Sequence, residues 1–334
     1  MRFISALFSL LLFAFITCGL AAYKIHDLYY GQNISNEERV VTIPKGASLN
    51  KIASLLSKDG YISGVQKKIL PYIVRLEGRG ASLKAGEYQL PKQASLKEII
   101  DIIEEGKSVM YKITLIEGET VHMALERIQK NDILEGEITT SPSEGMIYPD
   151  TYLFMRGQKR DDLIKNAVQK QKQHLDTFWA MRPETLPVET KEEFLTLASI
   201  IEKETALGAE RPLVASVFIN RLKQGMRLQT DPTIIYGITK GKGVLGRPIY
   251  KSDILKDTGY NTYQIDGLPP TPICNPSKET FEAIVNAPQT DYLFFVANGT
   301  GGHSFSKTYA EHQENVQIWR QIEARKKQAE KEIN

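Results

Sequence analysis

The chain has 334 residues, of which 25% are charged and 42% belong to the hydrophobic class, so most of it has the composition of a folded globular protein. Its length exceeds that of a typical single domain and is enough for a sizeable core. The net charge is only +2 and no long run of Lys or Arg occurs. These values argue against nucleic acid as a partner.

The first segment of the chain is apolar. Residues 3–22 are uncharged and rich in Leu, Phe, Ile and Ala, and their number matches one crossing of a bilayer. We therefore predict a retained transmembrane anchor at 1–22, which makes the membrane a partner. A cleaved signal peptide stays open, because residues 19–22 (G-L-A-A) imitate a cleavage site. Thr17 before Cys18 does not favour a lipoprotein.

Cysteine and histidine positions bear on disulfides and metal ions. Cys18 lies in the apolar segment and Cys274 in the body of the chain, so we expect no disulfide between them. The five histidines are scattered, and neither a Cys/His cluster with metal-ligand spacing nor H-E-x-x-H occurs. We expect no metal ion and no other cofactor.

A polar tether, predicted at 23–39, leads to a small unit at 40–107. Within that unit the pattern predicts a strand at 40–46, two helices that end at glycines, a returning strand at 85–91 and a third helix at 95–103. The order strand, helix, helix, strand resembles a LysM-like module, and LysM modules bind N-acetylglucosamine polymers. A simple spacer is the alternative, because no exposed aromatic cluster is evident.

A strand at 110–116 begins a larger domain, which we place at 108–319. The remaining segment, 320–334, has the pattern of a charged, solvated helix. The predicted fold class is α+β, with an N-terminal transmembrane helix, the small β-α-α-β module and a larger mixed α/β domain.

The segment 191–206 is the most informative about chemistry. It contains neither Pro nor Gly and is predicted to form one helix. Apolar residues at helical spacing share one face: Phe194, Leu197, Ile200 and Ile201. Glu204 extends this apolar stripe, whereas Glu202 lies on a neighbouring face, where we expect it to be solvated or to support the site without lining it.

A carboxyl group at the end of an apolar stripe is partly desolvated, which raises its pKa and lets it hold a proton near neutral pH. Such a group can act as a general acid toward a glycosidic oxygen. The sequence therefore favours Glu204 as an acid/base. The pattern leaves open a solvated Glu204 that pairs with Arg211 or Lys203.

The segment 198–205, A-S-I-I-E-K-E-T, resembles the signature of the MltG (YceG-like) family of endolytic murein transglycosylases. Further motifs follow in the order found in that family. They are E-G and Y-P-D-T-Y upstream, and N-R-L, G-M-R-L-Q-T-D-P-T, Y-N-T-Y, G-L-P-P and G-G-H-S-F downstream. Together they span most of residues 110–315. The resemblance maps the catalytic glutamate of the family onto Glu204.

This resemblance implies a lytic transglycosylase, a lyase that cuts the β-1,4 bond between N-acetylmuramic acid and N-acetylglucosamine within nascent glycan strands. Glu204 would protonate the glycosidic oxygen and then deprotonate the muramoyl 6-hydroxyl, which gives a 1,6-anhydro end. The resemblance further implies a single-pass protein of the cell inner membrane with its catalytic domain in the periplasm. Its partners would be peptidoglycan glycan strands and a peptidoglycan synthase whose elongation it ends.

The remaining motif residues suit a sugar-binding groove, because aromatic faces pack on pyranose rings and polar groups bind hydroxyl and N-acetyl groups. We expect substrate binding from Glu202, Tyr148, Asp150, Arg227, Gln229, Thr230, Asp231, Tyr236, Asn261 and Tyr263. A supporting role is an equal alternative for residues 227–231 and for Tyr148 and Asp150. Core packing is the alternative for Asn261 and Tyr263, and His303 is interpreted as a plain loop residue.

Two other classes of function stay open. A non-catalytic peptidoglycan-binding scaffold of the wall-synthesis machinery would keep the groove without depending on Glu204. A glycoside hydrolase would need a second carboxylate, for which Asp150 and Asp231 are the candidates. A metal-dependent hydrolase lacks ligands in the sequence.

Overall fold

The computed structural model describes residues 2–33 and 35–333 and has a mixed α+β fold. The chain forms two units. One contains the residues up to Tyr111 together with Leu153–Gln158, and the other contains Lys112–Tyr152 and the residues from Lys159 onwards. The predicted strand at 110–116 thus lies where the chain leaves the first unit. The return of 153–158 to that unit has no signal in the sequence.

The first element is an apolar helix, α1, at Arg2–Tyr30. Its part Ala6–Tyr30 contains an 18-residue stretch with a mean hydropathy of 2.1 and is long and apolar enough to cross a membrane. The helix continues through Tyr30, so the beginning of the segment predicted as a tether at 23–39 is helical.

In the rest of the first unit, three helices begin at serine caps and one of them ends at a glycine. Its elements are β1 (Arg39–Ile43), α2 (Leu49–Lys58), α3 (Gly64–Leu76), β2 (Gly86–Leu90) and α4 (Leu96–Glu105). Ser48, Ser63 and Ser95 accept hydrogen bonds from the first turns of the three helices α2, α3 and α4. Gly106 ends α4 in the left-handed conformation, which favours glycine.

The core of the first unit lies between its two-stranded sheet and its helices. β1 and β2 are antiparallel, with Val41 opposite Tyr88. Both of these side chains are buried, together with Leu56 of α2 and Leu70 of α3. Tyr29, near the end of α1, belongs to the same apolar core.

The second unit is mostly helical. Its elements are β3 (Tyr111–Thr114) and β4 (Thr151–Phe154), at which the chain passes between the units, and α5 (Val121–Gln129), α6 (Arg160–Met181), α7 (Lys191–Glu204), α8 (Arg211–Lys223), α9 (Asp231–Thr239), α10 (Lys251–Ile254), α11 (Lys278–Val285), β5 (Phe294–Ala297), β6 (His303–Ser306) and α12 (Tyr309–Ile333). β5 and β6 pair antiparallel. The predicted charged helix at 320–334 is the later part of α12, so the boundary at 319 falls inside one helix.

Helix α7 is the centre of the second unit. Residues 194–202 are all buried, and α6, α8, α9 and α11 pack around this helix. The ring of Phe194 stacks on Phe281 of α11 at 5.6 Å, and Phe281 stacks on Phe178 of α6. A helix buried on all sides is a core helix rather than an amphipathic surface helix. Its C-terminal end alone reaches a cleft.

Candidate active site

Glu204 is the last residue of α7. Thr190 and Glu193 form a capping box that fixes the start of this helix, and Thr205 is extended after its end. The carboxyl group of Glu204 therefore leaves the core at a helix C-terminus. The partial negative charge of that terminus does not stabilise a carboxylate.

The protonation of Glu204 is set by its surroundings. The Thr230 hydroxyl donates a hydrogen bond to Oε1 of Glu204. Burial, assisted by the charge of Asp231, raises the pKa of Glu204 to about 7, although the Thr230 hydroxyl and His303 act in the opposite direction. The carboxyl group is closely surrounded by protein atoms, yet it borders an open cleft. It can therefore hold a proton at neutral pH and release it.

The cleft has a volume of about 370 Å³ and is lined by residues from α8, the loop before α9, the segment after α10, β5 and the start of α12. Its lining consists of Glu204, Phe218, Arg221, Leu228, Gln229, Asp231, Tyr263, Leu293, Phe294, Phe295, Tyr309 and His312. Of the predicted site residues, Glu204, Gln229, Asp231 and Tyr263 meet here. Aromatic rings beside polar groups are the surface that a sugar chain requires.

The loop that carries Thr230 is held rigidly. The backbone N–H of Thr230 donates to Oγ1 of Thr262 at 3.0 Å, and the hydroxyls of Thr262 and Thr233 are 2.9 Å apart. All three threonines are buried. On the cleft side, the Tyr263 hydroxyl donates to Oδ1 of Asp231 at 2.8 Å. These contacts fix the donor that faces Glu204.

Arg221 of the N-R-L motif is a cleft residue that was absent from the expected substrate-binding residues. It is buried, and its guanidinium donates from Nε to the carbonyl of Leu293 (2.7 Å) and from Nη1 to the carbonyls of Arg227 (2.9 Å) and Leu228 (3.0 Å). Burial lowers its pKa. Within the described ranges no carboxylate pairs with it. Its place in the N-R-L motif was the available signal.

Glu202 does not line the cleft. Its Oε2 accepts hydrogen bonds from the backbone N–H of Ser277 (2.8 Å), the Ser277 hydroxyl (2.7 Å) and the Thr280 hydroxyl (2.5 Å), and its Oε1 lies 3.4 Å from Arg211. Of the two expectations for Glu202, the structure excludes a solvated side chain, because α7 is enclosed on that face too, and leaves the supporting one.

The alternative partners proposed for Glu204 are engaged elsewhere. Arg211 pairs with Glu202, and Nζ of Lys203 donates to the carbonyl of Gly118 at 3.2 Å. Neither cation neutralises Glu204. This leaves the Thr230 hydroxyl as the hydrogen-bond donor that faces its carboxyl group.

Two other predicted groove residues support loops instead. Asn261 is fully buried, and its amide donates to the carbonyls of Ile254 (2.9 Å) and Lys256 (2.7 Å), so it does not line the cleft. Arg227 is exposed outside the lining and bonds to Asp266 (2.8 Å) and the carbonyl of Tyr263 (3.0 Å). The contacts of Arg227 in this structure are therefore those of a residue that supports the loop, which was the alternative interpretation.

The last three predicted residues lie away from Glu204. Tyr236 lines a second cleft and donates to Glu144 at 3.2 Å. Tyr148 packs on the ring of His174 at 4.5 Å. Asp150 is exposed and pairs with Lys170 at 3.2 Å, so it is not the second carboxylate of this cleft. Asp231 is in the cleft.

His303 has a defined partner rather than a plain loop setting. Its Nδ1 lies 2.7 Å from Oε2 of Glu210, and its backbone N–H donates to Oε1 of the same side chain at 3.0 Å. Burial alone would raise the pKa of Glu210, but the contacts with His303 bring it below its ordinary value. The pair joins the start of α8 to β6.

The cleft therefore offers one carboxyl group with a pKa raised to about 7, a second carboxyl group held by a tyrosine, and an aromatic wall. In the part of the chain that the structure describes, no group of three or more His, Cys, Asp or Glu side chains is placed to hold a metal ion. This fold and this cleft define a protein equipped for general acid–base chemistry on a single glutamate.

Sequence comparison identifies the family of the chain. The profile of the YceG-like family matches residues 41–318, and the chain belongs to that family. It is 34% identical over 306 residues to a Bacillus subtilis (strain 168) protein named endolytic murein transglycosylase, which covers 81% of this chain and 82% of the relative. A relative of the same name from Streptococcus pneumoniae (strain D39) is 27% identical over 331 residues, covering 84% of this chain and 58% of its own length.

A solved structure is similar as well. The crystal structure of a YceG-like protein from Listeria monocytogenes superposes with a TM-score of 0.53 at 31% sequence identity. The match covers 84% of this chain and 99% of the Listeria chain.

Proposed function

We propose that this chain is an endolytic murein transglycosylase, a lyase that cuts the bond between N-acetylmuramic acid and N-acetylglucosamine and uses Glu204 as its acid/base. The observation that carries the proposal is the Glu204 carboxyl group, which borders a cleft with its pKa raised to about 7. The names of the Bacillus and Streptococcus relatives point to the same activity.

The reaction needs one group that first gives and then takes a proton. Protonated Glu204 donates to the glycosidic oxygen as the bond to C1 breaks, and the substrate's N-acetyl group stabilises the cation. The carboxylate then accepts the proton of the muramoyl 6-hydroxyl, whose oxygen bonds to C1. A pKa near the working pH suits both steps. The Thr230 hydroxyl stabilises the carboxylate between them.

The other cleft residues bind the glycan in this proposal. Tyr263 and Phe294 supply ring surface, and Gln229 and Asp231 supply hydrogen-bonding groups next to Glu204. Gln229 has a φ of 51°, an uncommon conformation for a residue other than glycine, and it turns the loop at the cleft wall. Arg221 positions this wall by holding the carbonyls on both sides of the cleft.

The test is mass analysis of the products formed from purified murein by the full-length protein. We expect muropeptides with 1,6-anhydro ends. Reducing ends that carry oxygen from labelled water would identify a hydrolase, with Asp231 as the base, and would overturn the lyase assignment. Intact murein bound tightly by the protein would favour the non-catalytic scaffold.

Location and the role of the first unit belong to the same proposal. The length and composition of α1 support a single-pass anchor in the inner membrane, with the second unit in the periplasm beside a peptidoglycan synthase. The order β1-α2-α3-β2 of the first unit supports a LysM-like module that binds glycan. Calorimetry of N-acetylglucosamine oligomers with Glu204→Gln protein distinguishes the two, because a binding module adds a second site to the one in the cleft, whereas a spacer leaves the cleft as the single site.

A further inference from the structure

Helix α3 carries an apolar surface that the fold leaves uncovered. The α3 stripe consists of Val65, Ile69, Tyr72 and Leu76, which recur at intervals of three and four residues and so share one side of the helix. Val65, Tyr72 and Leu76 are exposed, and Leu76 retains 90% of its accessible surface. A soluble protein rarely leaves such a row open to water without a partner.

The position of α3 relative to α1 follows from two contacts. Nε2 of Gln66 donates to the carbonyl of Leu28 at 2.8 Å, and the Tyr29 hydroxyl donates to Glu77 at 2.7 Å. Gln66 and Glu77 are separated by about 16 Å along the α3 axis, at 1.5 Å per residue. Their partners are adjacent on α1. Helix α3 therefore lies across α1 rather than alongside it.

The stripe faces back along α1. Ile25 lies one helical turn before Tyr29, toward the apolar part of α1, and it shares a shallow apolar pocket with Ile69, Tyr72 and Leu76. If α1 spans a bilayer, α3 lies near the membrane plane with its stripe toward the lipid. This step rests on the membrane span proposed above.

Aromatic and basic groups at this level match a bilayer surface. Tyr23 and Tyr30 of α1 and Tyr72 of α3 are exposed around the same end of α1, and tyrosine is enriched where hydrocarbon meets headgroups. Lys68 and Arg75 are exposed on the flank of the stripe. Basic residues beside an apolar helix face are typical of helices that lie in the interface of anionic membranes.

We propose that the α3 stripe is a membrane-surface contact that inserts between the headgroups of anionic phospholipids. It gives the first unit a second attachment beside α1, so that the unit rests on the bilayer in one orientation. Continuity with the apolar helix and the flanking cations favour lipid over a protein occupant.

The test uses the full-length protein in liposomes of phosphatidylethanolamine and phosphatidylglycerol whose acyl chains are brominated close to the headgroup. Tryptophan is introduced at three exposed positions in separate variants: Tyr72→Trp in the stripe, Phe13→Trp in the middle of α1 and Val40→Trp on β1. The emission of the parent protein, which contains Trp179 and Trp319, is subtracted.

We expect bromine to quench the added emission of Tyr72→Trp but not that of Val40→Trp, and chains brominated near their ends to quench Phe13→Trp. Adding Lys68→Glu and Arg75→Glu should reduce the quenching at position 72. Quenching at Phe13→Trp without quenching at Tyr72→Trp would overturn the contact and keep the span. Absence of quenching at both would overturn both proposals. Blue-shifted, unquenched emission at position 72 would mean a protein covers the stripe, which also refutes lipid contact.

Discussion

Glu202 and Glu204 belong to the same turn of α7, but their carboxyl groups are in opposite electrostatic situations. Glu202 is an anion enclosed by Arg211, Ser277 and Thr280, which together satisfy both of its oxygens. Glu204 has a hydroxyl donor in Thr230, no cation within ion-pair distance among the described residues, and a pKa raised to about 7. One helix thus carries a structural carboxylate and the carboxyl group that we propose as the proton-transfer group.

Replacing the proton-transfer group should abolish most of the activity. Glu204→Gln keeps the shape of the side chain and removes its transferable proton, so we expect turnover to fall by roughly 10²–10⁴-fold, the range of positioned acid–base catalysis. The measurement is release of 1,6-anhydro muropeptides from purified murein. Glu192→Gln, on the exposed side of the first turn of α7, is the matched control and should retain full activity. A folded Glu204→Gln protein with normal turnover would refute the assignment.

Sequence reasoning located Glu204 but explained it only in part. The apolar stripe through Phe194 and Ile201 correctly indicated desolvation, and the resemblance pointed to the same residue. That α7 is buried on every side could not be predicted from its own sequence, because this burial depends on which other helices pack against α7. For Glu202 the sequence therefore left two expectations open, a solvated side chain and a supporting one.

The groove residues show a similar division. Asp231 and Tyr263 reach the cleft, whereas Asn261 uses its amide on backbone carbonyls. A polar motif residue can serve either purpose, and only the path of the backbone decides between them. The continuation of α1 through Tyr30 was not predicted either. Tyr29 packs in the core of the first unit, and the local sequence does not show such tertiary packing.

Glu202 should matter for stability rather than chemistry. Glu202→Gln removes the charge that compensates Arg211, and breaking a buried ion pair on one side costs about 3–5 kcal/mol. We expect a correspondingly lower free energy of unfolding in urea. Turnover per folded molecule should stay close to that of the wild type at low temperature. Loss of turnover with unchanged stability would mean that Glu202 takes part in the reaction.

The rate should depend on pH through Glu204. The first step requires the protonated carboxyl group, so activity should decline as pH rises through about 7, the pKa of Glu204. The measurement is kcat/KM for murein between pH 5 and 9, a span chosen to bracket that pKa. A rate that stays constant up to pH 9 would show that the proton comes from another group.

Thr230 should set the position of that decline. Its hydroxyl stabilises the carboxylate of Glu204 and so lowers the pKa. Thr230→Val keeps the volume and removes the donor, which should raise the pKa and move the decline in kcat/KM to higher pH. Thr230→Ser retains the hydroxyl and should restore the original profile. Equal reduction of the rate at every pH in Thr230→Val would indicate a purely structural role.

The raised pKa of Glu204 should also be visible in the free energy of unfolding. The unfolded carboxyl group titrates near its ordinary value of 4.5 and the folded one near 7. Between these values the folded protein holds a proton that the unfolded chain has released, so stability falls as pH rises through this window. Below this window the group does not change the free energy of unfolding. Above the window the full loss of stability is present. The loss is about 3–4 kcal/mol, at 1.36 kcal/mol per pKa unit.

Glu204→Gln lacks this titration, so comparison with the wild type isolates it. We expect the two proteins to have similar unfolding free energies near the lower end of the window, and the variant to become the more stable one as pH approaches 7, with no further change above. Urea titrations at a series of pH values measure the difference in the free energy of unfolding between the two proteins. Groups that titrate alike in both proteins do not contribute to this difference. Glu192→Gln should show no such trend, because its carboxyl group is exposed. A difference between Glu204→Gln and the wild type that is independent of pH would mean that Glu204 is an ordinary carboxylate in the folded protein.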